Sequence, residues 1–228
     1  MDNTLLQAAA LIVPLILAIV FHEVAHGWTA LALGDPTALE QRRLSLNPLR
    51  HVDPIGTVLL PGSLALAGAP VFGWAKPVPV NRWRLRDPRR GMMVVAAAGP
   101  GSNLVLAAIG AVLLGLLVRV AGSSESAALQ FIAMNFNNFI MINVFLALFN
   151  LLPIPPFDGS HIVEGLLPDR LAASYARLRP YGFPLLILLL IVVPYFYPQW
   201  ALVRHLVLPP VIWMTDHYYA LAHAVAGI

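Results

Sequence analysis

His22-Glu23-Val24-Ala25-His26 stands in a largely apolar stretch that runs from Leu5 to Leu33. Residues four apart share a helix face and lie about 6 Å apart along its axis. Two imidazole nitrogens so placed can converge on one Zn2+ at about 2.0–2.1 Å, with the intervening glutamate able to take a proton from the activated water. Ionisable groups deep in a segment of membrane-spanning length are energetically costly, and such a cluster marks a functional site. The chemistry implied is zinc-assisted hydrolysis inside a bilayer.

The rest of the composition agrees with a membrane setting. The 228 residues are 59% hydrophobic and 11% charged, against about 25% charged in an ordinary soluble domain. No linker, repeat or low-complexity tract divides the chain, so residues 1–228 are expected to form one integral-membrane domain. Cysteine is absent, which leaves His, Asp, Glu and water as metal ligands. The first segment lacks a basic n-region, and its apolar run exceeds the 7–15 residues, roughly, of a signal-peptide h-region. It reads as a retained helix.

Apolar segments of helical length cover about 5–33, 92–120, 129–152, 183–197 and 205–225. A membrane-crossing helix needs about 20 residues, so the fourth is short. Another apolar stretch, 54–71, contains Pro54, Gly56, Pro61, Gly62, Gly68 and Pro70, too many breakers for a plain helix. Arg42, Arg43 and Arg50 precede it; Lys76, Arg82, Arg84, Arg86, Arg89 and Arg90 follow it. A crossing would put two basic loops on opposite sides, against the positive-inside rule. If the stretch dips in and returns, all of the 14 Lys and Arg residues except Arg119 and Arg204 share the cytoplasmic side. The expectation is an all-α polytopic membrane protein of five to six transmembrane helices with a re-entrant or β-hairpin segment after the first, its metal site in the cytoplasmic half of the bilayer.

Catalytic zinc usually has three protein ligands and a water. Asp158 is the best third candidate. It follows the 129–152 helix in Asn150-Leu-Leu-Pro153-Ile-Pro155-Pro156-Phe157-Asp158-Gly159, where the prolines end the helix and an extended return can reach the depth of His22. Asp is also a favoured helix N-cap, the competing role for Asp158.

Together, His22-Glu23-x-x-His26 and Asn150-x-x-Pro153-x-Pro155-x-x-Asp158-Gly159 resemble the paired signature of the site-2 protease family of intramembrane zinc metalloproteases, peptidase family M50. Gly99-Pro100-x-x-Asn103 and the stretch Gly73–Asn81 are similar to short bacterial members without a PDZ or CBS module. The resemblance implies a three-helix metalloprotease core, one Zn2+ per chain on His22, His26 and Asp158, Glu23 as general base, and Asn150 as a substrate-backbone contact. It further implies a transmembrane protein substrate cleaved in regulated intramembrane proteolysis, and a bacterial inner membrane with the active site toward the cytoplasm. The alternative is a membrane metal-binding or transport protein without hydrolytic activity.

Other residues have plainer expected roles. His161 and Glu164 are competing ligands, expected on the surface of a short helix after Asp158. His51, His205, His217 and His223 are expected near the interface. Asn143, seven residues from Asn150, suits interhelical hydrogen bonding. Gly99, Gly101 and Ser102 suit close packing. In an extended 71–81, Pro77 and Pro79 block one edge while the N–H groups of Lys76, Val78 and Val80 leave the other able to accept a strand; a purely structural loop at the membrane face is the equal alternative. The arginines of 82–90 suit anionic headgroups and not nucleic acid.

Overall fold

The computed structural model describes residues 3–66, 73–122 and 126–228. Among them the main helices are α1 (Asn3–Ala32), α2 (Pro88–Ala121), α3 (Ala127–Asn150), α4 (Asp158–Leu166), α5 (Asp169–Phe196, interrupted by tight and wide turns) and α6 (Leu208–Ala226). By length and composition α1, α2, α3 and α5 can each cross a membrane. The chain is thus an all-α polytopic membrane protein. Among the described residues four helices are long and apolar enough to cross, where five to six were expected. In α6, Asp216, His217 and His223 interrupt the apolar surface. The short 183–197 segment gains its length by starting at Asp169.

α2 is the central helix, packed against α1, α3, α4 and α6. Its buried face carries Ala96, Gly99, Asn103, Ala107, Gly110, Ala111 and Gly115, a run of small residues at helical spacing. Helices in lipid associate through close van der Waals contact, which small residues permit. Ala107, Ala111 and Leu114 of α2 meet Ile140 and Val144 of α3 and Val211 and Ala222 of α6 in the main apolar core. Asp87 begins α2: its carboxylate accepts from the Arg89 and Arg90 N–H groups, and Pro88 needs no such partner.

α6 runs parallel to α2. A Cβ on Gly115 would strike the Ala222 carbonyl and Val225, while the Tyr218 hydroxyl donates to the Leu104 carbonyl. The start of α6, with Arg204 just before it, therefore lies toward the Pro88 end of α2. Arg204 was expected with Arg119; the helix direction puts it at the opposite end, with the other basic residues.

The breaker-rich stretch is a wide helical turn, Pro54–Leu59, followed by a short helix, Leu60–Leu66. Residues 67–72 lie outside the described part. The chain returns beside its own start: Trp74 N–H donates to the Gly56 carbonyl, Lys76 N–H to the His51 carbonyl, and the Thr57 hydroxyl to the Trp74 carbonyl. The described residues flanking the stretch thus lie side by side, the arrangement a re-entrant segment would need. The hairpin is not observed. Residues 73–80 take no regular structure, and no β-strand forms among the described residues, because their polar groups bond to a loop, to helix side chains and to the wide turn.

Asp35, fully buried beyond the end of α1, anchors this return. One carboxylate oxygen accepts from the Thr37 N–H and hydroxyl, the other from the Asn81 N–H at 2.6 Å. Asp35→Ala would orphan these donors and is expected to destabilise the protein by about 2–3 kcal/mol, read as a lower thermal unfolding midpoint in detergent.

Candidate metal centre

His22 and His26 belong to a buried stripe of α1 that recurs every four residues, with Pro14, Ala18 and Ala30. The small neighbours let α1 approach α2. The rings sit over Gly99, where a Cβ would come within 2.5 Å of His26 and 2.7 Å of His22. His26 lies six residues, about 9 Å, from the end of α1, so the pair is buried but near one end of the helix.

Asp158 reaches them from the other side. α3 ends at Asn150, and the proline-rich turns 151–157 fold back until α4 begins at Asp158. Gly159 permits this fold: a Cβ there would lie 2.2 Å from the Leu151 carbonyl oxygen and 2.5 Å from that of Leu152. The capping role is not taken up. Phe157 is the N-cap residue of α4, with no side-chain cap bond, and Asp158 Oδ2 has no hydrogen-bond donor although it is buried.

The three side chains meet. His22 Nε2 and His26 Nε2 are 3.1 Å apart, and Asp158 Oδ2 lies 3.2 Å from the first and 3.4 Å from the second. Neither ring can supply a proton to this cluster as a neutral imidazole. His22 Nδ1 donates to Asn103 Oδ1 at 2.6 Å and His26 Nδ1 to the Val95 carbonyl at 2.8 Å. That leaves lone pairs on both Nε2 atoms. With both rings neutral, three lone-pair atoms converge, an arrangement that repels itself unless a cation, proton or metal, is shared. Ligand atoms at about 2.0–2.1 Å from a tetrahedral centre stand about 3.3–3.4 Å apart, close to the spacing found. The donor set fits Zn2+ with one vertex left open.

Glu23, on the same turn, is not one of the converging donors but borders them. Its Oε2 accepts the Val78 N–H at 2.7 Å, so the strap 73–81 lies across the site. Arg43 holds the strap by donating to the Lys76 carbonyl. This corrects the expected open edge: the Lys76 and Val78 N–H groups already have partners, the His51 carbonyl and Glu23. Pro77 and Pro79 flank Val78, which leaves its N–H the lone donor in that turn of strap.

Asn150 stays with its own helix, donating to the Leu146 carbonyl at 2.9 Å. His161 and Glu164 do not join the cluster, and they are not surface-facing as expected. Glu164 is buried, paired with Arg179 and lying 3.7 Å from Arg82, while Arg89 Nε donates to the Glu164 carbonyl and its guanidinium pairs with Asp169. Burial of the His161 ring, with Arg179 beside it, lowers its pKa; it stays neutral and accepts from Arg179 at 3.2 Å. The cause is α4 packing along α2, which buries the face expected to be free. His51 is likewise buried, its Nε2 on the Ser45 carbonyl. Asn143 bonds across helices as expected, its Oδ1 accepting from Asn103 Nδ2. Ser102 donates to the Gly99 carbonyl, a helix contact and not a nucleophile.

Asn103 and the Val78 N–H, both singled out in the sequence, were given no role at the metal centre. A backbone donor carries no type signal, and Asn103 differs from other membrane asparagines only in being one turn from Gly99.

Comparison with known proteins gives the chain its relatives. The family model described as peptidase family M50 matches residues 114–193. "Putative zinc metalloprotease YwhC" of Bacillus subtilis is 40% identical over 195 residues, 85% of either chain. "Putative zinc metalloprotease Rip2" of Mycolicibacterium smegmatis is 30% identical over 77% of this chain and 64% of its own length. The protein of that name in Mycobacterium tuberculosis is 28% identical over 76% of this chain and 63% of its own. No solved structure matches the chain. The chain belongs to peptidase family M50, the site-2 protease family, and is a zinc metalloprotease.

Proposed function

We propose that the chain is an intramembrane zinc endopeptidase. It hydrolyses a peptide bond within or near the transmembrane segment of a membrane protein, as a step in regulated intramembrane proteolysis. The observation that carries this reading is the convergence of His22, His26 and Asp158 within 3.4 Å in helices of membrane-spanning character. Zinc held there supplies Lewis acidity toward the scissile carbonyl and acidifies water. His22, His26 and Asp158 hold the ion, and Asn103 and the Val95 carbonyl keep both rings turned toward it.

Glu23 is the general base. Its Oε2 is engaged by Val78, so Oε1 accepts the proton of the attacking water as the oxygen adds to the carbonyl carbon. The same carboxyl then delivers that proton to the leaving nitrogen as the C–N bond breaks. Asn150 contacts substrate backbone if its amide leaves the Leu146 carbonyl, a self-bond that a competing peptide can replace.

The basic end is assigned to the cytoplasm of a bacterial inner membrane. Arg82, Arg89 and Arg179 gather there around Glu164, the charge bias favours that side, and the remaining arginines suit anionic headgroups. The site then sits within the bilayer in its cytoplasmic half, where water can reach it.

Two variants separate binding from chemistry. Glu23→Gln is expected to keep one zinc per chain and lose cleavage of a transmembrane substrate by at least about 10²-fold; undiminished cleavage excludes Glu23 as the base. Gly99→Ala drives a methyl into both imidazoles and is expected to lower zinc content and activity together, measured by metal analysis of the purified protein.

A further inference from the structure

We infer that a buried pair of amides, Asn103 on α2 and Asn143 on α3, sets the tautomer of His22 and thereby its readiness to bind zinc, an inference that rests on the metal reading above. The two histidines are held differently. His26 Nδ1 meets the Val95 carbonyl, which can only accept, so its tautomer needs no further control. His22 Nδ1 meets a side-chain amide, which could present either its oxygen or its NH2. With NH2 toward the ring, Nδ1 would carry the lone pair and Nε2 the proton, and Nε2 could not be a ligand.

The structure selects the oxygen. Both hydrogens of Asn103 Nδ2 have acceptors: the Ala18 carbonyl at 3.1 Å and Asn143 Oδ1 at 2.7 Å. Asn143 is oriented in turn by donating to the Phe139 carbonyl at 2.8 Å. Reversing the Asn103 amide would press its oxygen against two others. Both asparagines are completely buried, so water cannot relieve the mismatch. The relay begins at a backbone carbonyl of α3, passes through α2 and ends on the imidazole of α1. It makes Asn103 and Asn143 positioning residues.

The test is zinc affinity of the detergent-solubilised full chain, by chelator competition, with thermal unfolding followed in parallel. Asn103→Leu is expected to bind zinc about 10–100-fold more weakly, the usual loss when a ligand's hydrogen-bond partner is removed. Asn103→Asp keeps the acceptor for His22 Nδ1 and is expected to stay within about threefold of wild type, although it unfolds at lower temperature. Asn143→Leu is expected to weaken zinc about 10-fold, whereas Asn143→Asp still accepts from Asn103 and restores binding. Wild-type affinity in both Leu variants overturns the relay, and so does a loss in the Asp variants that follows their stability. If a Leu variant does not fold, ring ¹⁵N spectra of zinc-loaded wild type decide: a protonated Nδ1 on His22 supports the relay, and a metal-bound Nδ1 overturns it. If wild type binds no zinc, or binds it equally well after His22→Ala and Asp158→Ala, the metal reading itself fails.

Discussion

Three potential ligand atoms that converge on one point form the constraint from which the rest of this structure follows. Two ring nitrogens and a carboxylate oxygen are brought within 3.4 Å of one another in a buried setting. Unpaired polar atoms in such surroundings are costly, and repulsion among acceptors adds to that cost. A shared cation reverses the sign of both effects. The features that look arbitrary in isolation serve that convergence. Alanine and proline beside the histidines narrow α1, Gly99 leaves room for both rings, and Gly159 allows the chain after α3 to double back on its own carbonyls.

The same end of the molecule ties the site to the chain that follows the breaker-rich stretch. The strap 73–81 is fastened by Glu23 at Val78 and by Asp35 at Asn81. Arg82 in the turn beyond it and Arg89 in the first turn of α2 grip α4. One continuous stretch therefore touches the base on one side and the helix that carries Asp158 on the other. Trp74 meets Phe183 of α5 edge-on, and Gly182 packs against Pro155 of the doubling-back turn. A displacement of the strap would reach Glu23, α4 and the middle of α5 together.

What was legible in the sequence was whatever residue type and spacing encode. Histidines four apart on an apolar helix, and an aspartate after a run of prolines, specify donor atoms and a chain path, and both met as expected. That the described flanks of 54–71 lie together agrees with the charge argument. The burial of Glu164 was not legible, because its partners Arg82 and Arg179 come from the turn before α2 and from α5, and only the packing of α4 on α2 brings them near. The strap's open edge was misread for a related reason: alternating prolines show which N–H groups exist, not which acceptors face them. Arg204 was misplaced because spans were counted as alternating, and the direction of α6 is set by Gly115 and Tyr218 contacts that no hydropathy pattern contains.

The role of α2 explains why one helix can orient both ligands. Val95, Gly99 and Asn103 are spaced by four and lie on one stripe, yet the groups that touch the histidines span two turns, while His22 and His26 are one turn apart. Helical geometry closes the gap. Side chains lean toward the helix N-terminus, so the Asn103 amide reaches back toward Gly99. Backbone carbonyls point toward the C-terminus, the negative end of the helix dipole, so the Val95 oxygen reaches forward toward the same level. The acceptors converge from above and below on the bare surface at Gly99, where the rings lie. A glycine between a forward carbonyl and a backward amide is thus a two-imidazole cradle, and it works only because the residue at its centre has no side chain of its own.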